Sequence, residues 1–247
     1  MAKKTKAPAK KKAAAKKRAP AKKKATTKKT RPIAKKKPNI VTADNRFRTF
    51  IMFGAPGCGK GTQGRVIANI PRFHYFASGD AFRALDTRSE LGQEFIKVSQ
   101  TGALVPDELT IKLWHAQLEA RIATAAFKPD IDFLLLDGIP RTVEQAELMR
   151  PFMKVLGVFH LSCPDREELA RRIRKRALKE NRPDDAKDEI IYSRFYTYEK
   201  ETKPLLKYYN RRVTDINAFQ APVKVLSDIL EAIMRTKEWE EQSKEVI

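Results

Sequence analysis

An apolar run, Phe50-Ile51-Met52-Phe53, ends in a glycine-rich loop, Gly54-Ala55-Pro56-Gly57-Cys58-Gly59-Lys60-Gly61-Thr62, and no other stretch restricts this chain as much. A glycine-rich turn at the end of a buried strand lets several backbone N–H groups face one point. The helix that follows aims its positive N-terminal end at the same point. A site of that kind takes phosphate. Lys60 is placed to reach the outer phosphates, and the Thr62 hydroxyl is a candidate magnesium ligand or phosphate donor. The motif departs from its commonest form, because Gly61 stands between Lys60 and Thr62.

The remaining pattern supports the context this loop needs. Residues 48–53 read as the first buried strand and 60–70 as the helix that opens on the loop. Further strands are expected at 73–76, 133–137, 156–161 and 222–226. Helices are expected from Ser78, at 90–100, 107–126, 142–153 and 165–180, in one long piece at 186–211, and at 227–243. Short apolar strands alternating with helices imply an α/β fold, a five-stranded parallel sheet covered by helices on both faces. There is no internal repeat.

The net charge is +21, but it is unevenly spread. Residues 1–38 hold 18 Lys and Arg and no acidic side chain, leaving 33 basic against 30 acidic residues in the rest. This low-complexity Lys, Ala, Pro and Thr tail cannot bury enough apolar area to offset chain entropy, so residues 1–47 are expected to be a disordered tail and linker, and 48–247 the folded domain. Its composition is similar to the basic tail of a linker histone. Charge alone suggests non-specific nucleic-acid contact by phosphate neutralisation. No aromatic residue interrupts residues 1–38, so base stacking is not implied. The two cysteines, Cys58 and Cys163, are far apart, which suits a reducing compartment better than a disulfide framework. No apolar run is long enough to span a membrane, and the N-terminus lacks the apolar core of a secretory signal. A cytoplasmic location is expected, and the tail is compatible with nucleoid or nuclear association.

Two further constellations carry chemistry. Asp137 ends an apolar run and is followed by Gly138-Ile139-Pro140-Arg141. Ligands of open α/β sheets sit beyond the carboxyl ends of the strands, so Asp137 falls near the phosphate loop, where a carboxylate can hold magnesium through water. Arginines then accumulate at 83, 141, 172, 176, 182 and 194. Phosphoryl transfer needs two phosphorylated molecules held in line while charge on the moving group is neutralised, and guanidinium groups suit that task. Arg171, Arg174 and Lys175 read as a solvated helix face. His74, His115 and His160 are scattered and at no metal spacing, so structural or surface roles are expected. Cys58 reads as a small loop residue and Trp239 as a cap on the core.

In this order the motifs resemble the adenylate kinases, within the nucleoside monophosphate kinases, over roughly residues 48–228. The loop from Gly54 to Gln63 looks like that family's phosphate loop, with its unusual Lys-Gly-Thr. Ser78-Gly79-Asp80 with Arg83 is similar to the start of the monophosphate-binding segment, here 77–106. Gly102-Ala103-Leu104-Val105-Pro106-Asp107-Glu108 resembles the stretch that closes over the monophosphate base. Asp137-Gly138-Ile139-Pro140-Arg141-Thr142 with Gln145 is close to the family signature. Arg182-Pro183-Asp184-Asp185 and Arg194 look like the lid, here 177–190, and the helix beyond it.

The resemblance implies a P-loop kinase that exchanges a phosphoryl group between ATP and AMP to give two ADP, with Mg2+. ATP would lie on Gly57, Cys58, Gly59, Lys60, Gly61, Thr62, Arg172 and Arg176. AMP would lie on Ser78, Arg83, Ala103, Leu104, Val105, Gly138, Arg141 and Gln145, with Arg182 and Arg194 reaching the transferred group. Lys60 and the arginines at 83, 141, 176, 182 and 194 would be the catalytic cations. Asp184 and Asp185 would position the lid arginines, and Asp137 and Asp80 would hold magnesium through water. Ser78 replaces the family's usual Thr, and Ile139 its usual Phe. Only five residues separate Arg176 from Arg182, so the lid is of the short form, lacks a cysteine quartet, and is expected to hold no structural zinc. Asp185 to Arg194 is one residue longer than the family pattern. A monomer is expected. Two alternatives stand beside this reading: a UMP/CMP kinase, with Gln145 as the discriminating residue, and a nucleic-acid-associated protein carrying a passenger nucleotide-binding fold.

Overall fold

The computed structural model describes residues 46–180, 182, 185 and 187–244. The basic tail and Asp184 therefore lie outside the described residues, as does part of the expected lid.

Five parallel strands form one sheet in the order β2-β3-β1-β4-β5. They are β1 (Phe47–Phe53), β2 (Phe73–Ala77), β3 (Phe133–Asp137), β4 (Met153–Ser162) and β5 (Val213–Asn217). The continuous apolar runs of the central strands have a direct cause. In β1, Phe50 and Met52 enter one core while Ile51 and Phe53 enter the other, and all four are buried. On the first face pack α1 (Lys60–Ile67), α6 (Arg166–Glu180) and α9 (Pro222–Met234). On the second pack α4 (Asp107–Ala123), α5 (Val143–Met149) and α8 (Pro204–Tyr209). A third, smaller cluster of Phe82, Val105 and Leu113 joins α2 (Ser78–Arg83) and α4 with Phe95 of α3 (Glu90–Ser99).

Strand β1 lies between β3 and β4, with the sheet extending both ways from it. Its carboxyl end is thus the switch point at which an open parallel sheet leaves a crevice. The register places Met52 beside Asp137, and Ala77 beside Asp137 on the other flank. The phosphate loop, Ser78 and Asp137 therefore emerge side by side.

Two expectations fail near the C-terminus. The stretch 222–226 is not the last strand but the start of α9. Pro222 occupies the first helical position, where its missing N–H costs nothing, and Val225, Ile229 and Ile233 recur on one buried face. The strand is instead Val213–Asn217, an edge element in which only Ile216 is buried. The expected single helix at 186–211 is broken into α7 (Asp188–Thr197), a π-helical turn at Tyr198–Thr202, α8 and a 3-10 turn at Asn210–Arg212. Pro204 cannot donate to the helix ladder, and just before it the Lys203 N–H reaches back five residues to the Tyr198 carbonyl, at 2.9 Å. Helix α5 also stops at Met149, four residues short, because β4 already begins at Met153. A final helix, α10 (Lys237–Lys244), follows α9, and Trp239 packs on Phe73 and Phe133.

Candidate active site

Two glycines of the phosphate loop leave no room for anything larger. Gly54 has φ 145°, and a Cβ there would meet the Leu161 carbonyl oxygen at 2.5 Å and the Cys58 sulfur at 2.6 Å. Gly57 has φ 84° and lies against the Leu169 carbonyl, which a Cβ would approach to 2.7 Å. The loop is thereby pressed onto β4 and α6, and α1 starts at Lys60 with its first N–H groups turned to the loop. The Lys60 ammonium donates to the carbonyls of Gly54 (2.7 Å) and Ala55 (3.3 Å), which keeps it at the mouth of the loop.

Loop, α2, the segment before α4, the turn after β3, α6 and α7 enclose one cleft of about 690 Å3. Every described residue singled out from the sequence for nucleotide binding, catalysis or magnesium lines it. Asp185 stands behind the lining and Asp184 is outside the described residues. The cleft also takes in Tyr75, Phe95, Tyr198 and Gln220, for which no sequence motif spoke.

The turn after β3 holds Arg141 by backbone chemistry. Gly138, at φ 71°, presents its carbonyl to the Ser78 hydroxyl (2.6 Å) and to Arg141 Nε (2.8 Å). The Arg141 guanidinium is set deep in the cleft, and burial, followed by the adjacent charge of Arg194, pushes it down to about 10 against the pull of Asp137. Arg182 is lowered as well, first by burial and then by Arg83 and Arg176. These arginines are therefore crowded by one another, which is a charge arrangement suited to a polyanion.

Asp185 and Asp80 partly offset that crowding. Asp185 is fully buried and receives both Nε (2.9 Å) and Nη2 (2.5 Å) of Arg176, together with Nη1 of Arg194. Asp80 accepts from Arg83 at 2.6 Å and lies 3.5 Å from both Arg65 and Arg182. Burial alone would raise the Asp80 carboxyl, but the Arg83 hydrogen bond and the three guanidinium charges hold it below its ordinary value. Asp80 is thus occupied by cations. Asp137 differs: its Oδ2 accepts the Tyr75 hydroxyl at 2.8 Å, and no hydrogen bond to Oδ1 is made among the described residues. Burial and then Asp137 hold the Tyr75 phenol firmly protonated, as a donor. With the Thr62 hydroxyl in the same cleft, Asp137 offers hard oxygen ligands of the kind magnesium prefers.

On the far side of the cleft, Gln145 is buried among polar partners. Its Oε1 accepts the Arg141 backbone N–H at 2.7 Å, and its Nε2 donates to Asp107 Oδ1 at 2.7 Å. The Thr142 hydroxyl caps α5 by accepting the Gln145 N–H and donates to Asp107 Oδ2 at 2.8 Å. Asp107 lay inside a recognised motif, but its pairing spans 38 residues and leaves no local signal. The segment before α4 is tied to α7 as well, since Ser193 and Thr197 donate to the carbonyls of Thr101 and Gly102.

The histidines make structural contacts. His74 Nε2 meets Arg121 at 2.8 Å, and His160 lies between Asp215 and Tyr198. Among the described residues no group of three or more His, Cys, Asp or Glu could hold a metal, and no helix is long and apolar enough to cross a membrane.

A family model described as adenylate kinase matches residues 52–214. An adenylate kinase of Cyanothece sp. is 34% identical over 195 residues, which span 76% of this chain and 95% of the relative. One from Leptospira biflexa is 34% identical over 194 residues, 75% of this chain and all of the relative. One from Thermobifida fusca is 36% identical over 168 residues, 66% of this chain and 84% of the relative.

Proposed function

The chain belongs to the adenylate kinase family and is a nucleoside monophosphate kinase, and from that premise we propose that it transfers the terminal phosphoryl group of ATP to AMP, giving two ADP, in a reversible and Mg2+-dependent reaction. The observation that carries this reading is the convergence of Lys60, Arg83, Arg141, Arg176, Arg182 and Arg194 on one cleft, which the phosphate loop lines together with Phe95, Val98 and Val105.

The loop N–H groups and Lys60 hold the donor phosphates, with Arg172 and Arg176 on the α6 side. Arg83 and Arg141 grip the acceptor phosphate, and Arg141 is aimed by the Gly138 carbonyl. Arg182 and Arg194 reach the transferred group and neutralise its charge in flight. The acceptor phosphate oxygen is already deprotonated at neutral pH, so no side-chain base is required. Asp137 and Thr62 would hold magnesium, Asp137 through water, and Asp80, paired with arginine, is the weaker of the two carboxylate candidates. When bound, the metal supplies further neutralisation of phosphate charge. Segment 77–106 closes over the acceptor and excludes water, without which ATP would be hydrolysed.

An acceptor panel tests the reaction: protein, ATP and Mg2+ with AMP, CMP, UMP, GMP or none, and products resolved directly. ADP formation that depends on AMP is expected. Preferred turnover of a pyrimidine monophosphate would replace AMP as the acceptor, and ATP binding without transfer to any acceptor would overturn the activity.

The tail adds a second reading, which rests on its charge. Residues 1–38 tether the enzyme to polyanions such as nucleic acid. Polynucleotide binding by the full chain should weaken steeply with salt and vanish on removal of residues 1–38. Binding unchanged by that truncation would eliminate the tether.

A further inference from the structure

The Gln145 carboxamide is held at both ends by groups that fix which end is which. The Arg141 backbone N–H can only donate, so the atom facing it at 2.7 Å is the oxygen. The Asp107 carboxylate accepts, so the atom facing it at 2.7 Å is the nitrogen. A free carboxamide rotates to suit either order of donor and acceptor on a base edge. This one cannot, because a flip would set nitrogen against N–H and oxygen against carboxylate. Each held atom keeps one position unused, a second hydrogen on Nε2 and a second lone pair on Oε1, and Gln145 lines the cleft.

We propose that Asp107 is the residue that sets the hydrogen-bond polarity of the acceptor-base site, by clamping Gln145 so that it matches 6-amino purines and opposes 6-oxo bases. The inference rests on the reading above in which Gln145 meets the acceptor base. Adenine presents a donor on its amino group beside a ring acceptor, and the oxo bases guanine and uracil present the reverse order. Cytosine shares the adenine order and is separated by size, so the clamp bears on the amino-against-oxo choice. Asp107 is well placed to hold the clamp. It opens α4, directly after the segment that includes Ala103, Leu104 and Val105, and its second oxygen is fixed by Thr142. It is a positioning residue, acting on the base only through Gln145.

The test compares kcat/KM for AMP with that for inosine monophosphate, its 6-oxo counterpart of nearly the same shape, with ATP as donor. In Asp107→Ala one end of the clamp is gone while the Arg141 N–H remains, so the AMP preference should fall about tenfold. Asp107→Ser, which keeps a polar group at the helix start but is too short to reach Gln145, should do the same and guards against poor folding of the first variant. Asp107→Asn should keep the ratio within about twofold, since its oxygen can face Gln145 and its amide can donate to Thr142. Gln145→Ala removes the reader itself and should also lose the preference. Should Asp107→Ala and Asp107→Ser lower turnover equally for the two nucleotides and leave the ratio intact, while Gln145→Ala changes it, the clamp is wrong and Asp107 is merely structural. A ratio unmoved by Gln145→Ala would instead remove Gln145 from the base site, and the inference with it.

Discussion

Arg141 shows how a single residue can be costly to the fold and useful to the reaction. Its guanidinium is pushed down to about 10 by burial and by Arg194, so at neutral pH the folded state holds a cation that the unfolded chain would hold more easily. A phosphate in the cleft relieves that cost. Arg141→Ala should therefore lower kcat by about 10²–10³-fold, in line with the loss of a charge-stabilising donor, while leaving the melting temperature unchanged or slightly higher. Steady-state kinetics alongside thermal unfolding check both parts, and a clear fall in melting temperature would make the residue structural. Arg141 was legible in the sequence because it follows a strand-ending Asp by four positions. Tyr75 was not, because its hydroxyl reaches Asp137 from a neighbouring strand and nothing near it in the chain announces the contact.

Between elements, the packing of α1 onto β2 and the anchoring of α6 to α7 are the joints that hold the site. Gly64 of α1 sits against the Tyr75 ring, where an added Cβ would overlap ring carbons and come within 2.8 Å of Met52 Cε. Gly64→Ala should cost about 1–3 kcal/mol in urea unfolding and displace Tyr75 from Asp137. Asp185 joins α6 to α7 through Arg176 and Arg194. Asp185→Ala would leave two guanidinium groups facing each other without their shared carboxylate. Because both arginines retain some solvent contact, the expected loss is about 2–4 kcal/mol rather than the full cost of an isolated buried charge. Activity should fall with it, and retention of full stability would show that solvent compensates these charges. The motif Arg182 to Asp185 was readable, but the joint itself exists only once α6 and α7 bring Arg176 and Arg194 to the same carboxylate.

For the molecule as a whole, His74 sets a sensitivity to acid. Burial, and then the Arg121 charge, lower its imidazole to about 4 from an ordinary value of 6.5. A folded-state value below the unfolded one means that the unfolded chain binds the proton more readily. The contribution is then fully present above pH 6.5 and is lost as the pH falls through 4. Allowing for the partial solvent contact of the ring, the fold should lose about 1–2 kcal/mol across that window. A His74→Gln variant, whose amide oxygen can still accept from Arg121, should lose correspondingly less; equal pH dependence of unfolding in the two proteins would assign the effect elsewhere.

The sequence by itself determined the parallel sheet, its first four strands and the phosphate loop. Those features are written locally, in apolar runs buried on both faces and in glycines whose backbone angles other residues rarely adopt. It also marked Lys60, Arg83, Arg141 and Arg182, each within a short motif, whereas Arg65 went unmarked and Arg171 and Lys175, read as a solvated helix face, also line the cleft. Only the tertiary structure decided that the last strand is Val213–Asn217 and that 222–226 opens a helix. An edge strand with one buried residue carries too little pattern to be seen, and its identity comes from pairing with β4. The same holds for the Asp107 clamp on Gln145: the two residues are meaningful to each other only after the chain has brought α4 and α5 together, and no local rule of propensity or spacing encodes a hydrogen bond made at that distance along the chain.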